Sequence, residues 1–210
     1  KPKGEGGMKE NPIRDLLAQG NWGEDQALLQ GLRQWQYAPV LWQAYETLQE
    51  EALFHSQVHG PGHIHRVLLL AALLCWKEGA PEEMVRQVFR AASYHDVGRT
   101  FDGYDIYHGA RSALRLAALT GQTGEALVEL QAAVTAHSRP DREMASIVAS
   151  FQPRDLPHAM ALTRLLKDAD NLDRVRLGDL DPKFLRHDSA KDLVGFAQRL
   201  FQRDQAAREP

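Results

Sequence analysis

The stretch His59-Gly-Pro-Gly-His63-Ile-His65-Arg66-Val67-Leu-Leu-Leu-Ala-Ala-Leu-Leu-Cys75-Trp76-Lys77-Glu78-Gly79 decides the fold. Val67 to Trp76 is an unbroken apolar run of ten residues, bounded by Arg66 and Lys77. A bilayer crossing needs roughly 20 such residues, so the run is too short to span. An apolar helix of this length, polar only at its ends, belongs at the centre of a bundle. We expect it over His63 to Glu78, stopped at Gly79. His63, Val67, Leu70 and Leu74 then form one core-facing line at helical spacing.

The same reading extends outward along the chain. Pro12 to Gln19, Glu24 to Tyr37 and Pro39 to Phe54 are expected helices before it. After it come Pro81 to Val97, Ile106 to Thr120, Gly124 to Ala136, Arg142 to Phe151, Pro157 to Leu177 and Ser189 to Ala207. Gly or Pro separates most of them, and alternating strand patterns are almost absent. The expectation is all-α: a single-domain helical bundle over residues 10–210, preceded by a flexible leader at 1–9. No internal repeat or low-complexity block divides it.

Composition narrows the function. Hydrophobic residues are 43% and charged residues 25%, a globular balance. The formal charge of −3 argues against a nucleic-acid-coating surface. The lone Cys75 rules out an internal disulfide and a cysteine zinc finger, and fits a reducing cytoplasm. No apolar leader resembling a secretion signal opens the sequence. Trp22, Trp35 and Trp42 read as packing anchors, and Cys75 as a buried, inert thiol.

The nine histidines carry the chemical information. His95-Asp96 lies at the end of a helix whose Val88, Ala91 and Ala92 set His95 on an apolar face. A buried His-Asp pair is costly unless its members are paired or bound to metal. His59 and His63 are four apart, but Gly60-Pro61-Gly62 breaks any helix between them. A helical zinc pair is therefore rejected, and His59 is placed at the rim of a site. Asp168 and Asp170 differ by about 200° around a helix, so one of them can face a given site. The geometry does not choose between them.

His63, then His95-Asp96, then Asp170 gives the order H…HD…D, which resembles the HD-domain superfamily of metal-dependent phosphohydrolases. Three segments carry the resemblance: His63-x-x-Arg66-Val67, Ala91-Ala-x-x-His95-Asp96-Val-Gly-Arg99 and Lys167-Asp168-Ala-Asp170-x-Leu-Asp173. It covers roughly residues 55 to 180. The resemblance implies His63, His95, Asp96 and Asp170 as metal ligands and selects Asp170 over Asp168. His108 and His137 resemble the extra histidines of subgroups that hold two metals.

Such N and O donors suit a divalent metal ion (Mn, Fe, Co, Ni, Zn or Mg), one or two per chain. The implied reaction is attack of a metal-activated water on phosphorus, in a nucleotide or another small phosphate ester or diester. Arg99 and Arg139 are expected to act on the phosphate, with Asp102 as general base. Arg66, Arg111 and Tyr104 are expected to bind substrate. Two other classes stay open: a di-iron oxygenase on a related helical fold, and a non-catalytic metal- or nucleotide-binding regulatory module. The expected partner is a small phosphorylated substrate, with no nucleic acid and no membrane, and the chain a monomer or homodimer.

Overall fold

The computed structural model describes residues 12–208, so the expected leader at 1–9 lies outside the described residues. Among them are twelve α-helices and no strand. These are α1 (Pro12–Gln19), α2 (Gln26–Gln34), α3 (Ala38–Thr47), α4 (Pro61–Lys77), α5 (Glu82–Tyr94) and α6 (His108–Ala113). They continue as α7 (Leu116–Thr120), α8 (Gly124–His137), α9 (Asp141–Ser150), α10 (Leu156–Leu172), α11 (Asp188–Asp192) and α12 (Val194–Arg208). The all-α expectation therefore holds, and no described helix is long and apolar enough to cross a membrane.

Helix α4 is central because it offers water no polar face. Every residue from His63 to Cys75 is buried. It packs on α5, α10, α3 and α12, while α8 packs on α10, α6 and α9. The cluster of histidines lies where the N-terminal turn of α4, the C-terminal turns of α5, α8 and α10, and the first residue of α6 converge. Trp22 is almost fully buried, donates its Nε1–H to the Leu16 carbonyl at 3.0 Å and lies near the Phe196 ring. Trp35 and Trp42 are only partly buried against the core. Cys75 is buried, and that burial pushes its thiol pKa up.

Several expected helices are shorter or divided. The one expected over Ile106 to Thr120 splits into α6 and α7 without a proline. There the Gln131 amide caps the Ala113 carbonyl, and the Arg115 guanidinium turns to the Val97 carbonyl. The one expected to reach Leu177 ends at Leu172 and tightens into a 3₁₀ turn, Asp173–Leu177. Its first side chain, Asp173, is drawn into a buried ion pair. Pro39 to Phe54 likewise ends as α at Thr47, and Ser189 to Ala207 divides into α11 and α12.

Gly98 serves close packing rather than a helix end. Helix α5 already ends at Tyr94, and a Cβ on Gly98 would lie 2.3 Å from the Ser112 backbone nitrogen. Gly98 lets α6 lie directly against the turn that carries His95 and Asp96. Gly109 serves the same end from α6, since a Cβ there would meet the Val134 carbonyl oxygen at 2.4 Å. These two close approaches bring His108 on α6 to His137 on α8.

Candidate metal centre

Six side chains from five segments meet in one buried cluster. His63 Nε2 lies 3.1 Å from His95 Nε2 and 3.4 Å from Asp170 Oδ1. His108 Nε2 lies 3.0 Å from His137 Nε2. Asp96 stands between the two imidazole pairs. Its Oδ2 is 3.6 Å from His63 Nε2, and its Oδ1 is 3.0 Å from His108 Nε2 and 3.7 Å from His137 Nε2. All six metal-ligand candidates of the sequence are thus brought together. His63, His95 and Asp96 form one set of donor atoms and Asp96, His108 and His137 another, with His95, His137 and Asp170 forming a third that overlaps both.

The ring orientations are set from behind. Each imidazole directs Nδ1 to a fixed acceptor: His63 to Asp173 Oδ2 (2.7 Å), His95 to the Ala92 carbonyl (2.9 Å), His108 to the Asp105 carbonyl (2.5 Å) and His137 to the Val134 carbonyl (2.5 Å). A carbonyl or carboxylate can only accept, so each Nδ1 carries the proton. Each ring then turns Nε2 into the cluster, a lone pair wherever Nδ1 holds the only proton. Lone pairs 3.0 and 3.1 Å apart repel unless a cation or proton lies between them. Asp96 Oδ1 is buried with no hydrogen-bond partner among the described residues. The donor set, the fixed tautomers and this orphaned oxygen fit divalent metal.

The electrostatics agree with that fit. Burial would raise the Asp96 pKa, but the imidazoles around it, His95 foremost, hold it well below the carboxylate range. Asp170 is likewise held low by the adjoining His63 and His95 imidazoles against the effect of burial. Burial lowers His137 to about 4, outweighing its Asp96 contact, so its ring stays neutral. For His95, burial opposes protonation, yet Asp96 and Asp170 raise its pKa. Asp170 is the most exposed of the three acids around His63, at 22% of its side chain, and marks the open side.

The expected substrate and catalytic residues divide. Arg99 Nε lies 3.0 Å from Asp96 Oδ2 and its guanidinium donates to the Gly103 carbonyl, so it sits on the cluster. Arg139 lies beside His137 in the wall of a groove of about 700 Å³ and donates to Glu143 Oε2. Tyr104 stands at the rim of that groove, 88% exposed.

One assignment is corrected, and two more residues are engaged within the fold. Arg66 is buried, with its guanidinium held by Asp173 and Asp204, so no phosphate can reach it. Arg111 donates its Nε–H to the Gly98 carbonyl and pairs Nη2 with the Asp105 carboxylate, bracing the turn after Asp96. Asp102 accepts a hydrogen bond from His59 Nδ1 at 3.0 Å. That bond lowers its pKa below the carboxylate norm.

Asp173 and Lys167 carried no assigned role in the sequence. Asp173 closes the quoted Lys167-to-Asp173 motif, and its carboxylate ties His63 to Arg66. Lys167 is 4% exposed and donates to the Arg139 carbonyl at 2.6 Å and to Asp141 Oδ1 at 2.9 Å. Asp168 faces away from the metal ligands. It accepts from the Arg186 and His187 backbone amides and from both of their side chains. The groove itself is lined by five cations, Arg139, Arg142, Lys167, Arg174 and Arg186, against three carboxylates, Asp141, Asp179 and Asp181.

With this geometry in place, the sequence profile of the HD domain family matches residues 62–175. That span holds all six clustered residues and covers more than half of the chain. The protein belongs to the HD-domain family. Comparisons with curated proteins and with solved structures return no match. HD domains are typical of metal-dependent hydrolases, and the cluster supplies the His and Asp donors such a domain uses.

Proposed function

We propose that this HD-domain protein is a metal-dependent phosphohydrolase acting on a nucleotide or another small phosphate ester. The observation that carries the reading is the division of Asp96: one carboxylate oxygen faces His63 and His95, the other faces His108 and His137. A shared carboxylate between two pairs of imidazoles suits two divalent ions. His63, His95, Asp96 and Asp170 would hold one, and Asp96, His108 and His137 the other.

When bound there, divalent ions would supply Lewis acidity toward a phosphoryl oxygen and would lower the pKa of a water. The protein's own residues do the rest. Nδ1 anchors keep every ring's free nitrogen pointed inward. Arg99 holds Asp96 and presents a guanidinium beside the cluster. Arg139, Arg142 and Arg174 line the adjoining groove and suit the oxygens of a phosphorylated ligand. Tyr104 at the rim offers a ring face to a base or other planar group. Asp141 and Arg186 brace Lys167 and the turn that carries Arg139. A cytoplasmic setting fits the single buried Cys75.

Elemental analysis of the wild type beside His95→Ala and Asp170→Ala, followed by a screen of phosphate esters, tests the reading. The expected result is about two ions per chain in the wild type. Both ions' occupancy and the hydrolysis should fall together in the variants. Undiminished hydrolysis in a metal-free His95→Ala/Asp170→Ala double variant would overturn it.

A further inference from the structure

A second cavity, about 310 Å³, lies away from the metal-side groove, between α3, α5 and α7. Its lining contains no Asp or Glu among the described residues. Two arginines, Arg86 and Arg90, stand in its wall one helical turn apart on α5. Arg86 is paired with Glu82, with Nη2 to Oε1 at 2.6 Å. Arg90 is half-buried and has no hydrogen bond or ion pair with any described residue.

The surrounding groups suit a small anion. The Tyr94 hydroxyl oxygen accepts from the Gln49 backbone amide at 3.2 Å, so its own proton is left to donate into the cavity it lines. Ser93 adds a second hydroxyl. Phe89 and Leu119 give the remaining wall an apolar character. Burial, and then the charge of Arg86, disfavour the Arg90 cation. A guanidinium in that position lacks a counter-charge that a bound oxyanion would provide. The volume sits at the lower end of small-molecule sites.

We propose that this cavity is a second ligand site, taking a small organic oxyanion whose phosphoryl or carboxylate head pairs with Arg90 and whose apolar body lies against Phe89 and Leu119. Ser93 and Tyr94 immediately precede the ligand candidates His95 and Asp96, so an occupant here rests on the turn that presents them. Helix α5 thus joins the two sites physically.

The test is a titration of the full chain, ¹⁵N-labelled and loaded with Zn²⁺, with phenylphosphonate and with benzoate. Both carry the apolar body, and neither can be hydrolysed as a phosphate ester. The expected result is saturable shifts of the amides of residues 43–49 and 86–94 with at least one probe. In Arg90→Met the affinity should fall at least about tenfold, the worth of a charged hydrogen bond. Arg90→Lys, which keeps the charge without the fork, should fall between. Shifts confined to residues 137–141 and 167–186, no shift with either probe, or shifts at 86–94 that survive Arg90→Met would each overturn the proposal. None of these outcomes depends on turnover, so the hydrolase reading stands or falls separately.

Discussion

His63 Nδ1 lies 2.7 Å from Asp173 Oδ2, and the other face of that carboxylate is held by Arg66 Nε at 2.7 Å. Asp173 therefore fixes the tautomer of His63, and Arg66 fixes Asp173. The chain continues through Arg66 to Asp204 on α12, and from Asp204 to Arg208. Asp173→Asn should weaken metal binding about 10–100-fold, the usual effect of losing the partner behind a metal-ligating histidine. Arg66 keeps Asp204, so the fold should survive with a loss of about 3 kcal/mol. Metal titration and chemical denaturation of the same variant separate the two effects. Unchanged metal affinity would show that the tautomer is fixed in another way.

Gly98 and Gly109 lead to a second expectation. A Cβ on Gly109 would press on the Val134 carbonyl and lie 3.1 Å from His137 Nδ1. Gly109→Ala should push α6 from α8 and part His108 from His137, while His63 and His95 on α4 and after α5 keep their places. Overpacking of this kind costs about 1–3 kcal/mol. The bound metal should fall from two ions to one, as read by elemental analysis. Retention of both ions would mean that α6 can slide without moving His108.

These contacts also show what a sequence makes legible. The bundle could be read because the apolar run at 67–76 and the Gly and Pro breaks are local signals. That His63, His95, Asp96 and Asp170 belong together was implied by the family resemblance their short motifs carry, since spacing alone left Asp168 and Asp170 undecided. Arg66, by contrast, is close in sequence to His63, but its partners Asp173 and Asp204 lie 107 and 138 residues away. Charge near a motif says nothing of which carboxylate will claim it. The partner of Asp102 was illegible for the same reason, since His59 reaches it from 43 residues back. Asp168 needed Arg186 and His187 to show why it faces away. The split of α6 from α7 hung on the Gln131 side chain, which no local pattern announces.

Lys167 is the strut under the groove. Its ammonium joins the Arg139 carbonyl and Asp141, and so fixes the turn between His137 and α9. Burial lowers its pKa, with Asp141 opposing, so the charge is held in place by that carboxylate. Lys167→Met keeps the stem and removes the donors. It should cost about 1–3 kcal/mol for the buried acceptors left behind. KM for a phosphate ester should rise more than kcat falls, because Arg139 moves while His63, His95 and Asp170 do not. An equal loss in kcat would place Lys167 closer to the chemistry than its contacts suggest.

His187 gives the fold a pH dependence away from the metal ligands themselves. Its Nδ1 donates to Asp168 Oδ2 at 2.7 Å, and that hydrogen bond raises its pKa above 6.5, with burial opposing and the Asp168 charge assisting. A group whose folded pKa is raised adds stability that is fully present below its unfolded value. The contribution is then lost as pH rises through the folded pKa. Asp168 itself is pushed down: burial would raise it, but His187 and Arg186 outweigh that, so its own share is lost only in acid. The stability of the wild type relative to His187→Asn should therefore be greatest near pH 6 and shrink through neutrality toward pH 8.5, with Asp168 ionised throughout. Urea denaturation of both proteins across that range reads the difference directly. A gap between the two curves that stays constant from pH 6 to 8.5 would mean that His187 does not change its charge on this carboxylate.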